Sequence, residues 1–435
     1  MMRIQTNRSV RAVLGLTLLL TTACKGILDV ELPGKVTEES LNSPLNALVL
    51  ANGAILDFEC AWANYVTAAN ALSDQLVNAS AQGVSQQWYT RNVLEADPAL
   101  LSNCDVATGL FPYATLQIAR ASAERALGLI EAFPDGQVAN KPTLLATVRT
   151  YGAYATLALG EGFCEAVLER GQVQASAAAL TAAEAAFTDA IARATAASAT
   201  DILNMARVGR ARARLDLGNF AGARADAALV PSGYVKMATR GANERQRWNL
   251  IFEMQNNIGL QVNRHGSVAP NYRGVTWQGV ADPRVTVSAT ANGNGSDGVT
   301  PFFSHNKALS RGDPMPIASY KEAQLIVAEA AARSGDLATA RQVIDARHTA
   351  AGIPGYDPTN SATQNEVIAQ VLEERRRELF LEGGARLNDM LRFRSTSFRI
   401  PFRGEAGSIH PNGVDHRGLN YGSTTCIPIP LAEKS

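Results

Sequence analysis

Two hexapeptides constrain what this chain can fold into more than any other feature. "GNFAGA" at Gly218–Ala223 and "GDLATA" at Gly335–Ala340 share the pattern Gly-x-apolar-x-x-Ala, and an alanine stands seven residues before each glycine, Ala211 and Ala328. That spacing is the turn of a tetratricopeptide unit: glycine closes one helix, and small alanines let the next helix pack tightly against it. The copies are 117 residues apart, so the helix pairs form no continuous array and have to meet in space across a long excursion. The expected fold is all-α, with tetratricopeptide-like pairs as a scaffold.

Helical signals run from residue 37 to about 230. Ser43-Pro44 starts one helix and Pro142 another, in which Leu144, Val148, Tyr151, Tyr154 and Leu157 share a stripe. Thr181 with Glu184, and Ser361 with Gln364, read as capping boxes. Tetratricopeptide-like helices are expected at about 113–230 and 317–350, with C-terminal helices and an irregular tail over 363–435. A loop- and hairpin-rich insertion at about 231–316 separates them, where Gly, Asn, Ser, Asp and Pro replace helical periodicity and "VTVSA" and "VTPFF" flank "TANGNGSDG". Loops on a rigid scaffold are where recognition usually resides.

Forty basic and 40 acidic residues balance to zero formal charge, which leaves no broad basic footprint for nucleic acid. At the N-terminus Arg3, Arg8 and Arg11 precede the apolar run Ala12–Leu20 and then "TTACKG". This is the layout of a signal peptide over residues 1–23 followed by a lipid-attachment cysteine, Cys24; a signal peptide without lipid is the alternative. Residues 24–435 then form a single domain. The apolar run is too short to span a membrane.

Four cysteines remain, Cys60, Cys104, Cys164 and Cys426, an even number in an exported chain. Three pairings are possible. Cys60 with Cys104 is favoured because both flank one polar segment between helices, leaving Cys164 with Cys426; four buried thiols are the alternative. The five histidines never adopt a helical metal-ligand spacing, so no metal is expected. "GNGSDG" matches a dinucleotide fingerprint in letters only, because a strand-like run follows it, and no cofactor is expected. The same stretch lacks the closing Glu of a calcium loop. No nucleophile elbow or metalloprotease motif occurs, and Glu161/Glu165 or Glu374/Glu378 read as solvated helix faces. The chain is not expected to be an enzyme.

Aromatic residues are only 6% of the chain, so their placement is informative. Trp88 and Tyr89 in "SQQWYTRN", and Tyr272 and Trp277 in "NYRGVTWQGV", are candidate sugar platforms flanked by hydrogen-bonding residues; Trp62 and Tyr65 stand at the head of a helix. Each ring could equally plug the core beneath its loop.

In "EERRRELFLEGGARLNDMLRF", at 373–393, apolar residues keep one helical face until Gly383-Gly384 permits a kink. Glu374, Arg375, Glu378 and Glu382 before it, and Arg386, Asp389 and Arg392 after it, are spaced to bridge neighbouring turns and both sides of the corner. The stretch reads as a fastening device.

This run resembles the C-terminal signature of the RagB/SusD family. So do the acylation cysteine, "ILDVELPGKVTEES", "ADPR" at Ala281–Arg284 and "ASYKEAQLIVAEAAARSGDLATA". The resemblance implies an outer-membrane lipoprotein, facing the cell exterior, that binds oligosaccharide, or another nutrient such as a peptide, and passes it to a SusC-like TonB-dependent β-barrel transporter without turnover. A helical protein–protein adaptor and an all-α glycosidase are the competing readings. Two residues separate Gly383 from Arg386 where the family commonly has one, and no ligand residue carries over by motif.

Overall fold

The computed structural model describes residues 42–434, apart from 105–109, 169–171, 258, 260 and 358–361. The expected signal peptide, Cys24 and the "ILDVELPGKVTEES" stretch lie outside the described residues. Among the described residues twelve α-helices carry the fold, and the strands pair in four two-stranded sheets. The all-α class with tetratricopeptide-like pairs is the one observed.

Helix α1 (Ala47–Leu72) is the axle. From Phe58 to Leu72 every residue is buried, as expected of a helix whose small and aromatic residues surround it on all sides. Trp62 and Tyr65 therefore sit in mid-helix, not at its head, and the Trp62 indole donates to the Pro316 carbonyl at 2.9 Å. Helices α2 (Gly83–Tyr89), α3 (Pro112–Ala132) and α4 (Lys141–Gly162) follow, and α3 and α4 pack on α1 and on each other. Close approach depends on glycine: a Cβ at Gly162 would lie 2.5 Å from the Tyr65 ring.

Helices α5 (Ser176–Ala196), α6 (Thr200–Asp216) and α7 (Phe220–Ala227) extend the layer. After the insertion, α9 (Tyr320–Arg333) and α10 (Leu337–Ala351) form the second echo pair, α8 (Leu250–Gln255) being a short helix inside the insertion. Gly218 (φ +77°) and Gly335 (φ +82°) adopt the left-handed turn, and Ala211, Ala223, Ala328 and Ala340 are fully buried. The two pairs meet, α9 lying on α6 and α7, with Arg224 2.9 Å from Asp336.

Two expected caps differ. Helix α5 starts at Ser176, because the alanine-rich run ahead of Thr181 is itself strongly helix-forming; Thr181 is interior, its hydroxyl donating to the Ala177 carbonyl. Helix α11 (Gln364–Glu378) is capped by Thr363 and Glu366 reciprocally, not by Ser361 and Gln364.

In the insertion, β6 (Thr276–Trp277) and β7 (Val280–Ala281) make a two-residue hairpin through Gln278 and Gly279, both at positive φ. Its larger hairpin is held by isolated bridges, Val287 to His305 and Asn294 to Pro301. Strand β1 (Leu76–Asn78) pairs antiparallel with β5 (Gly266–Val268), and β4 (Val235–Ala238) with β8 (Met315–Ser319), tying the insertion to the helices. Cys60 is bonded to Cys104 and Cys164 to Cys426.

Candidate functional site

Trp88, Tyr89 and Tyr272 are fully buried, so none can serve as an open platform. The Tyr89 ring fills the space over Gly266, where a Cβ would lie 2.5 Å away. Tyr272 stacks on Phe380 with centroids 5.0 Å apart. Trp277 is half-buried against His348 and Tyr356. Trp88 and Tyr89 end the short helix α2 and Trp277 lies in β6; each segment covers apolar core, and its rings fill the gap beneath it.

Of the signature residues Glu374, Arg375, Arg386 and Asp389 are buried and the others partly so, and their partners are mostly remote. Glu374 is 2.6 Å from Arg284 and 2.8 Å from the Nε2 of His348. Burial would push its carboxyl up, but the bonds from His348 and Arg284 prevail and hold it below the usual range. Glu378 faces Arg284 at 3.4 Å, and Glu382 accepts from both Lys307 and Lys321 at 2.8 Å. Arg386 grips Asp74 at 2.6 Å. Arg375 meets Asp389 across the Gly383-Gly384 turn at 2.9 Å. Helix α12 (Ala385–Arg392) ends at Arg392, which holds Glu329 at 2.8 Å and Asp389 at 2.6 Å. The stretch is a fastening corner: Arg375–Asp389 spans the turn and Arg392–Asp389 links successive turns, while its other partners lie in the insertion, just past the end of α1 and in α9. Glu161 is likewise no solvated face: it is buried and paired with Arg212.

A cleft of about 450 Å³ opens beside Glu373, Arg376 and Arg386. Its charges are already satisfied, since Arg376 holds Glu373 and Arg386 holds Asp74, each at 2.6 Å.

Three partly exposed flat rings gather elsewhere, where three irregular segments meet beyond the end of α1. The segment after β1 carries Ser80, the insertion turn carries Asp297 and Thr300, and the tail carries His410, His416 and Tyr421. Tyr421 stacks on His410 with centroids 5.8 Å apart and planes at 24°; its hydroxyl lies 2.6 Å from His410 Nδ1. His416 continues the row 6.0 Å from His410, and its Nε2 lies 2.8 Å from the Thr300 hydroxyl.

The loops are locked by side chains that bond backbone. Asp415 accepts from the amides of Arg417 and Leu419 and from Asn78. Asp297 accepts from the amides of Val299 and Thr300 and pairs with Arg417 at 3.0 Å. Gly422 passes so close to Arg91 that a Cβ would lie 2.1 Å from its carbonyl oxygen. Arg403 is fully buried beneath Tyr421, 6.0 Å from its ring, and two of its nitrogens make no hydrogen bond.

Both imidazoles are shifted. Burial first, then His416 and Arg403, keep His410 below the ordinary histidine range; burial first, with Arg417 and Arg273 adding, does the same to His416. The rings are therefore neutral at pH 7. Asp297 is held below the carboxylate range because the Thr300 and Val299 bonds outweigh burial. A row of uncharged flat rings edged by fixed donors and acceptors is suited to stacking and hydrogen bonding, not to donating a proton.

Residues 243–407 match the model of the SusD family. No curated protein matches the chain. Among solved structures, a SusD-like carbohydrate-binding protein from Bacteroides fragilis superposes with a TM-score of 0.65 at 14% identity, over 90% of this chain and 98% of that one. Surface glycan-binding protein A from Bacteroides uniformis gives 0.61 at 14%, over 90% and 96%. A SusD-like carbohydrate-binding protein from Bacteroides vulgatus gives 0.61 at 13%, over 83% and 86%.

Proposed function

For a SusD-like chain, with the SusD-family segment at 243–407 and a SusD-like fold, we propose that this protein binds a glycan at the cell surface and hands it to a TonB-dependent β-barrel transporter without cleaving it. The observation that carries the reading is the row Tyr421–His410–His416, stacked at the first pair and tilted at the second, half-exposed in locked loops beside amide, hydroxyl and guanidinium groups. A pyranose offers one apolar face to such rings and its hydroxyls to such neighbours. Individually weak contacts suffice if the transporter holds the binder nearby.

Binding without turnover fits the carboxylates here, because Asp297 is held ionised and a glycosidase acid has to be raised instead. The proposed tether is lipid on Cys24, which follows the apolar run Ala12–Leu20; no helix of the described residues is long and apolar enough to cross a membrane. Labelled fatty acid should enter the wild type and not Cys24→Ser.

The replacements Tyr421→Ala and His410→Ala should each weaken retention in a glycan-containing affinity gel at least tenfold, about 1.4 kcal/mol. Unchanged mobility would remove these rings from the site. Retention should be flat from pH ~8 down to ~6.5, the ordinary histidine value, because the imidazoles are already neutral there. It should fall only below that, when protonation places charge near Arg403 and Arg417. A rise in retention on acidification would contradict the neutral-ring site. Native pull-down separates the adaptor reading, which requires a soluble partner instead of a barrel.

A further inference from the structure

A second cleft, of about 400 Å³, lies on the flank of the axle helix between α1 and α3. Leu56 and Ile118 form apolar walls, and each is 44% exposed although it faces a cavity. The Cys60–Cys104 bond lines the floor, and Asn103 and Gln246 contribute amides. Trp248 lies in an adjoining small cavity that shares Cys60, Cys104 and Gln246.

The charges in this cleft do not balance locally. Glu59 is occupied: it accepts from the Thr239 amide and hydroxyl at 2.7 Å, and Arg240 stands 3.5 Å away. Arg247 donates to the Thr239 hydroxyl at 2.8 Å. Asp57 differs, since it makes no ion pair among the described residues. Burial raises its carboxyl above the ordinary range, only partly countered by Ser122, and no cation pulls it down. A half-buried carboxyl that makes no ion pair, in a walled cleft whose two arginines are engaged with Glu59 and Thr239, is a group whose charge a ligand could neutralise.

We propose that this cleft is a second saccharide subsite selective for an amino sugar, whose ammonium sits against Asp57 while its apolar face lies on Leu56 and Ile118. Glu244 adds to the negative field at the rim. An N-acetylated sugar lacks the charge and carries extra bulk, so the cleft discriminates against it. The proposal rests on the glycan-binding reading above but on different residues, so the two can fail separately.

The test is titration calorimetry of the full mature chain near neutral pH, with a glucosamine tetramer, its N-acetylated counterpart and a neutral glucose tetramer. The glucosamine tetramer should bind at least tenfold more tightly than the N-acetylated one. Asp57→Asn, on the half-exposed outer part of the helix, should keep the wild-type urea midpoint and abolish that preference, whereas Tyr421→Ala should leave it intact. Equal binding of the two tetramers, no binding of either, or a preference that survives Asp57→Asn overturns the subsite. A lysine-containing tetrapeptide that binds as tightly as the amino sugar overturns the saccharide assignment. Loss of neutral-glucan binding in Tyr421→Ala without discrimination at Asp57 leaves the loop site standing and this one refuted.

Discussion

Arg392→Met should lower the unfolding free energy by about 3–5 kcal/mol, the cost of leaving buried carboxylates without their cation. The guanidinium stands 2.8 Å from Glu329, 2.6 Å from Asp389 and 3.2 Å from Asp216, and those three side chains are 0%, 2% and 3% exposed. Asp389 keeps Arg375 at 2.9 Å and Glu329 keeps it at 3.7 Å, so the loss falls most heavily on Asp216. Against a total of about 5–15 kcal/mol, such a loss is a large fraction. The pH dependence supplies a signature. Burial already pushes the Asp216 carboxyl up to about 7, with Arg392 opposing it, and removing that opposition raises it further. A carboxyl raised in the folded state contributes stability that is full below the unfolded value of about 3.9 and disappears as pH climbs through the folded one. The variant should therefore lose less in urea at pH ~5 than at pH ~8. A pH-independent deficit, or one below about 1 kcal/mol, would mean that this corner is not an electrostatic clasp.

The clasp also shows what the sequence could and could not reveal. Charges at three- and four-residue steps around Gly383-Gly384 identify a corner, because that spacing is local and helical. Their partners are not local: Arg284, Lys307, Lys321 and Asp74 come from other elements, and no periodicity links them. The helix pairs were legible because Ala211, Gly218 and Ala223 encode a turn and a close packing within a dozen residues. The aromatic rings were not, since burial is decided by what folds over them. Trp88 and Tyr272 sit in polar surroundings in the chain yet are fully covered.

The rings at the candidate site were missed for the opposite reason. His410, His416 and Tyr421 lie in a tail with no repeating pattern, and they converge through Gly413, Gly418 and Gly422, whose turns bring Tyr421 back to the amide-bonding distance of Gly413. The nearest available signal was two histidines and a tyrosine within twelve residues of a Gly- and Asn-rich loop. That pattern is compatible with any polar surface turn.

The same tail makes the second large effect. Replacing Cys164 and Cys426 together by serine should lower stability by about 4–5 kcal/mol, the chain-entropy expectation for cross-links closing loops of a hundred residues or more. The bond joins residues 262 apart. Next to it the Cys164 amide donates to the Ile427 carbonyl at 3.1 Å and the Ile427 amide to the Gly162 carbonyl at 2.8 Å. With Ile427 and Ile429 buried, this is the pin that returns an otherwise irregular tail to the helices. The loop bearing His410, His416 and Tyr421 hangs between α12 and that pin, so the variant should also lose glycan retention, and reductant should reproduce both losses in the wild type. The Cys60–Cys104 bond, which spans 44 residues at the other cleft, provides the internal control. Its removal should cost about 3–4 kcal/mol by the same rule while sparing the loop site. Unfolding in urea with and without reductant, followed by gel retention of each double variant, distinguishes the two bonds. Equal loss of retention from both would mean that general destabilisation, and not the pin, governs the ring row.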